Sequence, residues 1–170
     1  YNQIMITLKN FINNQGNLKT VKTLEKLLEW AEIANKYEKL LIVQGGFAVD
    51  LAYGKITRNH DDLDLIIKEK DLAWFKECLI TDGYKIKIHE GHNEQLTFCS
   101  YKYNFIAEDS IYIDWEGINI DAEVWDKSDG DKFVWPVRPN ELYREITIEN
   151  IPIKYLSPLL VLEFKKKQQE

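Results

Sequence analysis

The stretch that decides the fold of this chain is GGFAVDLAYGKITRNHDDLDL, residues 45–65. Just before it, the apolar run LLIVQ at 40–44 is typical of a buried strand, and the glycine pair ends that strand. The segment FAVDLAYG at 47–54 then has the composition of a short helix closed by its final glycine. A second strand is predicted over 62–67, where DLDLII alternates and is rich in β-branched residues. The chain therefore runs from strand to glycine turn, helix and strand.

Outward from this stretch, the spacing of apolar residues predicts further elements. An amphipathic helix is predicted over 18–37, where apolar residues recur at three- and four-residue spacings, and another helix over 69–82. The segment 126–155 is expected to be irregular with short strands. Ser157-Pro158 is expected to open a last helix, with the serine as N-cap and the proline as first helical residue. Further strands are predicted near 84–89, 94–105, 110–115 and 117–125.

This order of elements predicts the fold class. Helices and strands alternate early and strands dominate later, which is typical of an α+β fold of the α/β type, with one mixed β-sheet flanked by helices. The length of 170 residues suits one domain over 1–170, with a core over about 18–125 and a variable C-terminal region over 126–170. No apolar run approaches 18 residues and no signal sequence is recognised, so no membrane association and a cytoplasmic location are expected.

Two pairs of carboxylates carry the chemistry that the sequence predicts. Asp62 and Asp64 alternate along one predicted strand, and Asp121 and Glu123 alternate along another, so each pair shares one face of its strand. Carboxylates so close together repel each other unless a cation lies between them. If the two strands are neighbours, three or four carboxylates converge, and such oxygen ligands suit Mg²⁺ above all.

The glycine pair adds a second signal. Gly45-Gly46 lets a ligand approach the backbone closely at a helix N-terminus, where N–H groups attract phosphate. Each signal alone has an ordinary structural explanation, since glycine pairs form plain turns and isolated acidic pairs lie at solvated strand ends. Their combination favours a two-metal phosphoryl-transfer site, in which the protein contributes positioning and charge stabilisation.

The stretch at 45–65 also resembles a known signature, that of the aminoglycoside and lincosamide nucleotidyltransferases of the DNA-polymerase-β-like superfamily. The signature consists of two glycines, an aromatic residue, alanine, a helix with aspartate, glycine, and then Thr/Gln-Arg-x-His-x-Asp-x-Asp. The matching residues are Gly45, Gly46, Phe47, Ala48, Asp50, Gly54, Thr57, Arg58, His60, Asp62 and Asp64. The match is close over about 40–90 and continues more loosely to 125.

The resemblance implies roles for particular residues. It implies that Asp62 and Asp64 ligate both metal ions, Mg²⁺ or alternatively Mn²⁺, and that the glycine pair contacts the triphosphate. It implies Asp121 as third carboxylate, with Asp114 in SIYIDWE as the alternative. Glu123 is then either a supporting residue or the general base for the acceptor hydroxyl.

Three residues near the predicted site have roles that the sequence leaves open. Arg58 could bind a phosphate or pair with Asp61 or Asp50. His60 is expected to orient a carboxylate or the loop rather than to ligate metal, and Asp50 to give structural support.

The function implied is transfer of a nucleoside monophosphate, with ATP as the expected donor, to a hydroxyl of a small molecule such as an aminoglycoside or lincosamide. The net charge of −6 and the sequence pI of about 5.2 disfavour nucleic-acid binding. A transferase acting on tRNA or on a protein in a toxin–antitoxin pair, and a nucleotide-binding pseudoenzyme, are the alternatives. A homodimer is left open.

Overall fold

The computed structural model describes residues 5–71, 73–75, 77, 85–88, 96–99, 104–107, 109–115, 118–125 and 142–162. From 85 to 125 these are described by their backbone alone. The helices that it defines are α1 (Leu8–Ile12), α2 (Leu18–Lys36) and α3 (Gly45–Tyr53). The strands are β1 (Leu41–Gln44), β2 (Asp62–Lys68), β3 (Lys85–Ile88), β4 (Leu96–Cys99), β5 (Asn104–Ala107), β6 (Asp109–Trp115), β7 (Ile118–Trp125), β8 (Tyr143–Ile148) and β9 (Ile151–Leu156).

Helix α2 confirms the amphipathic helix predicted over 18–37. It begins after Asn17, whose side-chain oxygen accepts a hydrogen bond from the backbone N–H of Thr20 at 2.9 Å and so caps the helix. The apolar positions predicted to face the core are all buried, namely Leu24, Leu27, Leu28, Ala31 and Ala34. Fully burying one such leucine contributes about 1.5–3 kcal/mol relative to exposure, so this helix face is a main source of stability.

The strands form a mixed sheet, as predicted. Within the described part of the chain, seven strands join in the order β3-β6-β7-β2-β1-β9-β8. Strand β2 is central and pairs in parallel with β7 and antiparallel with β1. Strand β1 in turn pairs in parallel with β9. This arrangement brings the beginning of β2 beside the beginning of β7, where the predicted acidic pairs lie.

One predicted strand is wrong, the single strand expected over 94–105. The structure has two short strands there, β4 and β5, which pair antiparallel as a separate two-stranded sheet. The sequence between them, SYKY at 100–103, contains no glycine, proline, asparagine or aspartate. The serine in it is a weaker turn signal than those residues, so the apolar pattern reads as continuous.

The C-terminal region contributes a hairpin to the main sheet. Strands β8 and β9 pair antiparallel across a two-residue turn, in which Glu149 (φ 50°) and Asn150 (φ 64°) are both left-handed. Two consecutive positive φ values match the right-handed twist of the flanking strands. The Glu149 carboxylate also accepts a hydrogen bond from the backbone N–H of Leu8 at 2.6 Å, which ties the hairpin to α1. Short strands were expected in this region, and these two belong to the central sheet.

The core lies on one face of the sheet, between the strands and helices α2 and α3. Leu63, Leu65 and Ile67 of β2 are buried in it. On the alternate positions of the same strand, Asp62 is exposed, Asp64 is half-buried and Ile66 is buried. The carboxylates therefore lie where β2 begins, and the strand becomes apolar on both faces further along.

The remaining helical predictions agree with the structure where it describes them. Residues 69–71 form a 3-10 turn and 73–75 are helical, with Phe75 buried and Trp74 half-buried. Leu72 and Leu79, also expected to be buried, lie outside the described residues. The last helix begins at Pro158 as predicted. Among the helices of the described ranges, none is long and apolar enough to cross a bilayer.

Candidate active site

The two acidic strands are neighbours in the sheet. In the parallel pairing of β2 with β7, Asp64 is directly opposite Asp121, and Asp62 is opposite Asn119. Neighbouring strands lie about 4.8 Å apart, and directly paired residues belong to the same face of a sheet. Three aspartates thus occupy adjacent backbone positions on one face, at the end of the sheet where β2 and β7 begin.

The other two candidate carboxylates lie at different positions in the same sheet. Asp114 is on β6 and pairs with Asn119 of β7, so it lies one strand further from β2 than Asp121 does. Glu123 pairs with Ile66, two residues further along from the strand beginnings. Among the side chains that the structure describes, no group of three His, Cys, Asp or Glu residues is arranged to hold a metal ion. The side chains of β6 and β7 lie outside that set.

Gly45 is required by the position of Asp64. Its φ is +66°, a left-handed conformation that side chains other than glycine rarely adopt, and a Cβ at this position would overlap the Asp64 carboxylate. The carboxylate therefore lies directly against the first residue of α3. Negative charge is favourable at a helix N-terminus, so this contact suits a carboxylate beside β7.

Gly46 is required for a different reason, because two side chains pack against it. A Cβ at Gly46 would overlap Arg58 Nη2 and would lie 2.9 Å from His60 Nδ1. Arg58 is exposed, whereas His60 is buried. The glycine pair thus accommodates one metal-binding candidate and two basic side chains around the beginning of α3.

A buried, hydrogen-bonded pair of side chains lies beneath this turn. His60 Nε2 lies 2.5 Å from Asp50 Oδ2, and both side chains are only 1% exposed. Thr57 Oγ1 donates a second hydrogen bond to Asp50 Oδ1. Burial alone raises the pKa of the Asp50 carboxyl, but the hydrogen bonds and charge of His60, with the bonds from Thr57, outweigh it and lower that pKa below its ordinary value. Asp50 is therefore ionised and holds His60 and Thr57 in place, which agrees with the structural role expected from the sequence.

The ring of His60 is held on several sides. Its face stacks on Phe47, with ring centroids 4.1 Å apart. Its backbone N–H donates to Thr20 Oγ1 of α2 at 2.9 Å. Since the Asp50 carboxylate only accepts, Nε2 carries the hydrogen in this contact. Nδ1 is buried and has no hydrogen-bond partner among the described residues.

The loop between α3 and β2 is anchored to the beginning of α2. The backbone N–H of Asn17 donates to Asn59 Oδ1 at 2.6 Å, and Lys19 pairs with Asp61 at 3.4 Å. Arg58 Nη1 donates to the Asn59 carbonyl at 3.0 Å. Asp61 is therefore a surface loop residue whose described partner is Lys19, and the sequence did not reveal the contacts with α2.

Comparison with family models identifies the group to which the chain is related. The model for aminoglycoside-2''-adenylyltransferases matches residues 26–165. The chain belongs to the aminoglycoside-2''-adenylyltransferase family. The matched range contains the glycine pair, the Asp50–His60 pair and both acidic strands.

Solved structures share the fold of this adenylyltransferase-family chain. The lincosamide antibiotic adenylyltransferase LnuA, bound to lincomycin, superposes with a TM-score of 0.57 at 20% identity, covering 82% of this chain and 84% of LnuA. A candidate nucleotidyltransferase from Thermotoga maritima gives 0.57 at 16% identity, covering 88% and 84%. The antibiotic-resistance factor ANT(2'')-Ia gives 0.52 at 19% identity, covering 82% of this chain and 66% of its own. No curated protein sequence matches this chain.

Proposed function

We propose that this adenylyltransferase-family protein transfers AMP from ATP to a hydroxyl of a small antibiotic of the aminoglycoside or lincosamide type. The observation that carries the proposal is the register of β2 and β7, which brings Asp64 and Asp121 side by side next to the glycine turn of α3. An acidic end of a sheet beside a helix N-terminus suits a metal-bound triphosphate. The one reported structure with bound lincomycin, and the family named for aminoglycosides, suggest the acceptor class.

The donor set fits divalent metal ions. Asp62, Asp64 and Asp121 offer carboxylate oxygens at adjacent positions, and hard ions such as Mg²⁺ or Mn²⁺ prefer oxygen ligands. Two bound ions would neutralise charge on the triphosphate and lower the pKa of the acceptor hydroxyl. Asp121 is preferred over Asp114 because it is directly paired with Asp64, whereas Asp114 lies one strand further away.

The remaining residues bind and position the substrates. The backbone of Gly45-Gly46 at the beginning of α3 would contact the triphosphate, and Arg58, exposed beside Gly46, would donate charge-assisted hydrogen bonds to a phosphate. Glu123 pairs with the buried Ile66, away from the strand beginnings. That position favours supporting the metal ligands over acting as the general base. The whole chain is proposed to be one nucleotidyltransferase domain, since β9 near its C-terminus pairs with β1.

Binding of ATP is expected to require a divalent cation. The aspartates would otherwise repel the triphosphate as well as each other. Titration calorimetry of the protein with ATP in Mg²⁺, in Mn²⁺ and in EDTA measures this directly. Equal affinity in EDTA would contradict the two-metal proposal.

The acceptor is tested with α-labelled ATP. The protein is incubated with Mg²⁺ and, separately, with aminoglycosides and lincosamides, and products are separated and checked for transferred AMP. An aminoglycoside or a lincosamide that gains label, with stoichiometric release of pyrophosphate, supports the proposal. Label found instead on RNA or on the protein itself would point to macromolecular acceptors.

A further inference from the structure

A buried glutamine beside Asp64 has an amide that the protein itself does not use. Gln44 is the last residue of β1, and it is only 8% exposed. Although Gln44 is the N-cap residue of α3, its side chain makes no capping hydrogen bond, and within the described part of the chain its amide makes no other. Buried side-chain amides are nearly always hydrogen-bonded, so this amide calls for a partner from outside the chain.

The sheet register fixes the face on which this side chain lies. Gln44 is directly opposite Asp64 in the antiparallel pair of β1 with β2, so both side chains lie on the same face. On the other neighbouring strand, β9, Leu156 is buried on that face and offers no hydrogen bond. Among the described residues, only His60 Nδ1 is a fully enclosed polar side-chain atom without a partner. The Gln44 amide therefore keeps contact with solvent on the Asp64 face of the sheet.

Gln44 extends the pair of aspartates into a row of three positions across the sheet. Asp64 is the middle position, directly opposite Gln44 on β1 and directly opposite Asp121 on β7. Because neighbouring strands lie about 4.8 Å apart, the backbones of Gln44 and Asp121 are separated by about 10 Å. The row thus has an acidic residue at one end and in the middle, and a neutral amide at the other end.

The proposed reaction also has two ends. The acceptor hydroxyl releases its proton, and its oxygen forms a bond to the α-phosphorus. The bond from that phosphorus to the pyrophosphate oxygen breaks, the electron pair leaves with pyrophosphate, and the entering and leaving oxygens are roughly in line. A hydroxyl that must lose a proton suits the acidic end of the row. Pyrophosphate is already anionic, so a further carboxylate would repel it, whereas an amide N–H can donate to its oxygens.

We propose that Gln44 positions the leaving pyrophosphate, with its amide Nε2 donating a hydrogen bond to a non-bridging oxygen of the β- or γ-phosphate. Because the glutamine is uncharged, it can donate without competing with metal ions for the Asp64 carboxylate, as a lysine or arginine would. This inference rests on the proposed function, and it adds a binding side chain at a position that the sequence showed only as the end of a buried strand.

Gln44→Met tests the hydrogen bond, because it removes the amide and nearly keeps the size of the side chain. Binding of α,β-methylene-ATP and of pyrophosphate, each with Mg²⁺, is measured by calorimetry, and stability by thermal melting in EDTA. We expect both affinities to fall at least about tenfold, since a hydrogen bond to a charged group is lost. The melting temperature should stay close to that of the wild type. Gln15→Met is the matched control at an exposed glutamine, and it should bind both ligands like the wild type.

A glutamine that serves only the fold predicts the opposite result, a lower melting temperature with unchanged affinities. If Gln44→Met binds both ligands within about twofold of the wild type, the inference is wrong while the proposed function stands. A loss of affinity for the nucleotide without a loss for pyrophosphate also overturns it, because the contact would then lie elsewhere on the nucleotide. If the wild type itself fails to bind the Mg²⁺ nucleotide, the proposed function fails, and this inference with it.

Gln44→Glu covers the case in which Gln44→Met does not fold, because it keeps the shape of the side chain. It replaces the donating amide nitrogen with an oxygen that only accepts, and it adds a negative charge. We expect this variant to bind pyrophosphate with Mg²⁺ at least about tenfold more weakly than the wild type. Equal or tighter binding would show that the side chain acts through its oxygen, as a metal ligand, and would overturn the hydrogen bond to pyrophosphate.

Discussion

Replacing Asp64 with asparagine is expected to lower turnover at least about 100-fold while leaving the protein folded. Metal-assisted charge stabilisation is worth several kcal/mol in a transition state, and about 1.4 kcal/mol corresponds to a tenfold change in rate. Asp64 is paired with Asp121 and lies against the first residue of α3, so it is the carboxylate most closely surrounded by the other elements of the proposed site. Pyrophosphate release with an identified acceptor measures the effect.

The stability of this variant should change little. Neutralising Asp64 removes repulsion by Asp62, but it also removes a carboxylate from the N-terminus of α3, a contact typically worth about 0.3–1 kcal/mol. The two effects oppose each other. The melting temperature in EDTA should therefore stay near that of the wild type, while the increase on adding Mg²⁺-ATP should be much smaller.

A matched control for Asp64→Asn is Asp61→Asn. It makes the same change of charge three residues away, at an exposed aspartate whose side chain pairs at 3.4 Å with Lys19 on the surface. Because this pair is exposed, the control should turn over at close to the wild-type rate. An Asp64→Asn variant as active as this control would show that Asp64 is no catalytic ligand.

Local patterns predicted the elements around the site because each of them is determined by short spacings. Helix α2 follows from its leucine spacing. The unit of β1, α3 and β2 follows from an apolar run, a glycine pair and alternating aspartates. Helix α3 begins at Gly45, two residues before the predicted helix, since both glycines are part of its first turn.

Contacts between distant segments could not be predicted in the same way. The choice between Asp121 and Asp114 depends on strand register, because both residues lie on alternating strands with similar sequence patterns. The hydrogen bond between Thr20 and His60 joins residues 40 positions apart. The second contact depends on how α2 packs on the sheet. No short sequence pattern predicts either the register or this packing.

The contact between Asp50 and His60 could be predicted only in part from the sequence. Both residues belong to the family signature, and Asp50 was correctly expected to be structural. The signature does not show that they contact each other, nor that Nδ1 is left without a described partner. That detail depends on Phe47 and Gly46, which fix the plane and depth of the ring.

Replacing Asp50 with alanine is expected to have the largest effect on stability, a loss of about 3–5 kcal/mol. The substitution leaves the His60 imidazole and the Thr57 hydroxyl without the acceptor that they share, and both contacts are at a residue only 1% exposed. For a domain of this size, the loss corresponds to a melting temperature lower by roughly 10 °C. Calorimetric or spectroscopic melting at neutral pH measures this loss. Asp61→Asn again serves as the control, and its free energy of unfolding should change by less than about 1 kcal/mol.

Asp50→Asn adds a dependence on pH whose sign follows from the pKa of Asp50. The folded protein holds that pKa below its ordinary value of 3.8, so the ionised carboxylate stabilises the fold at pH values above about 4. As the pH falls through 3.8 and towards the lower folded value, Asp50 becomes protonated and its contribution is lost. The asparagine variant lacks this ionisation at every pH. The difference in unfolding free energy between wild type and Asp50→Asn, measured with denaturant, should therefore shrink as the pH falls below about 4. A difference that grows as the pH falls below 4 would show that Asp50 is not held ionised by His60 and Thr57.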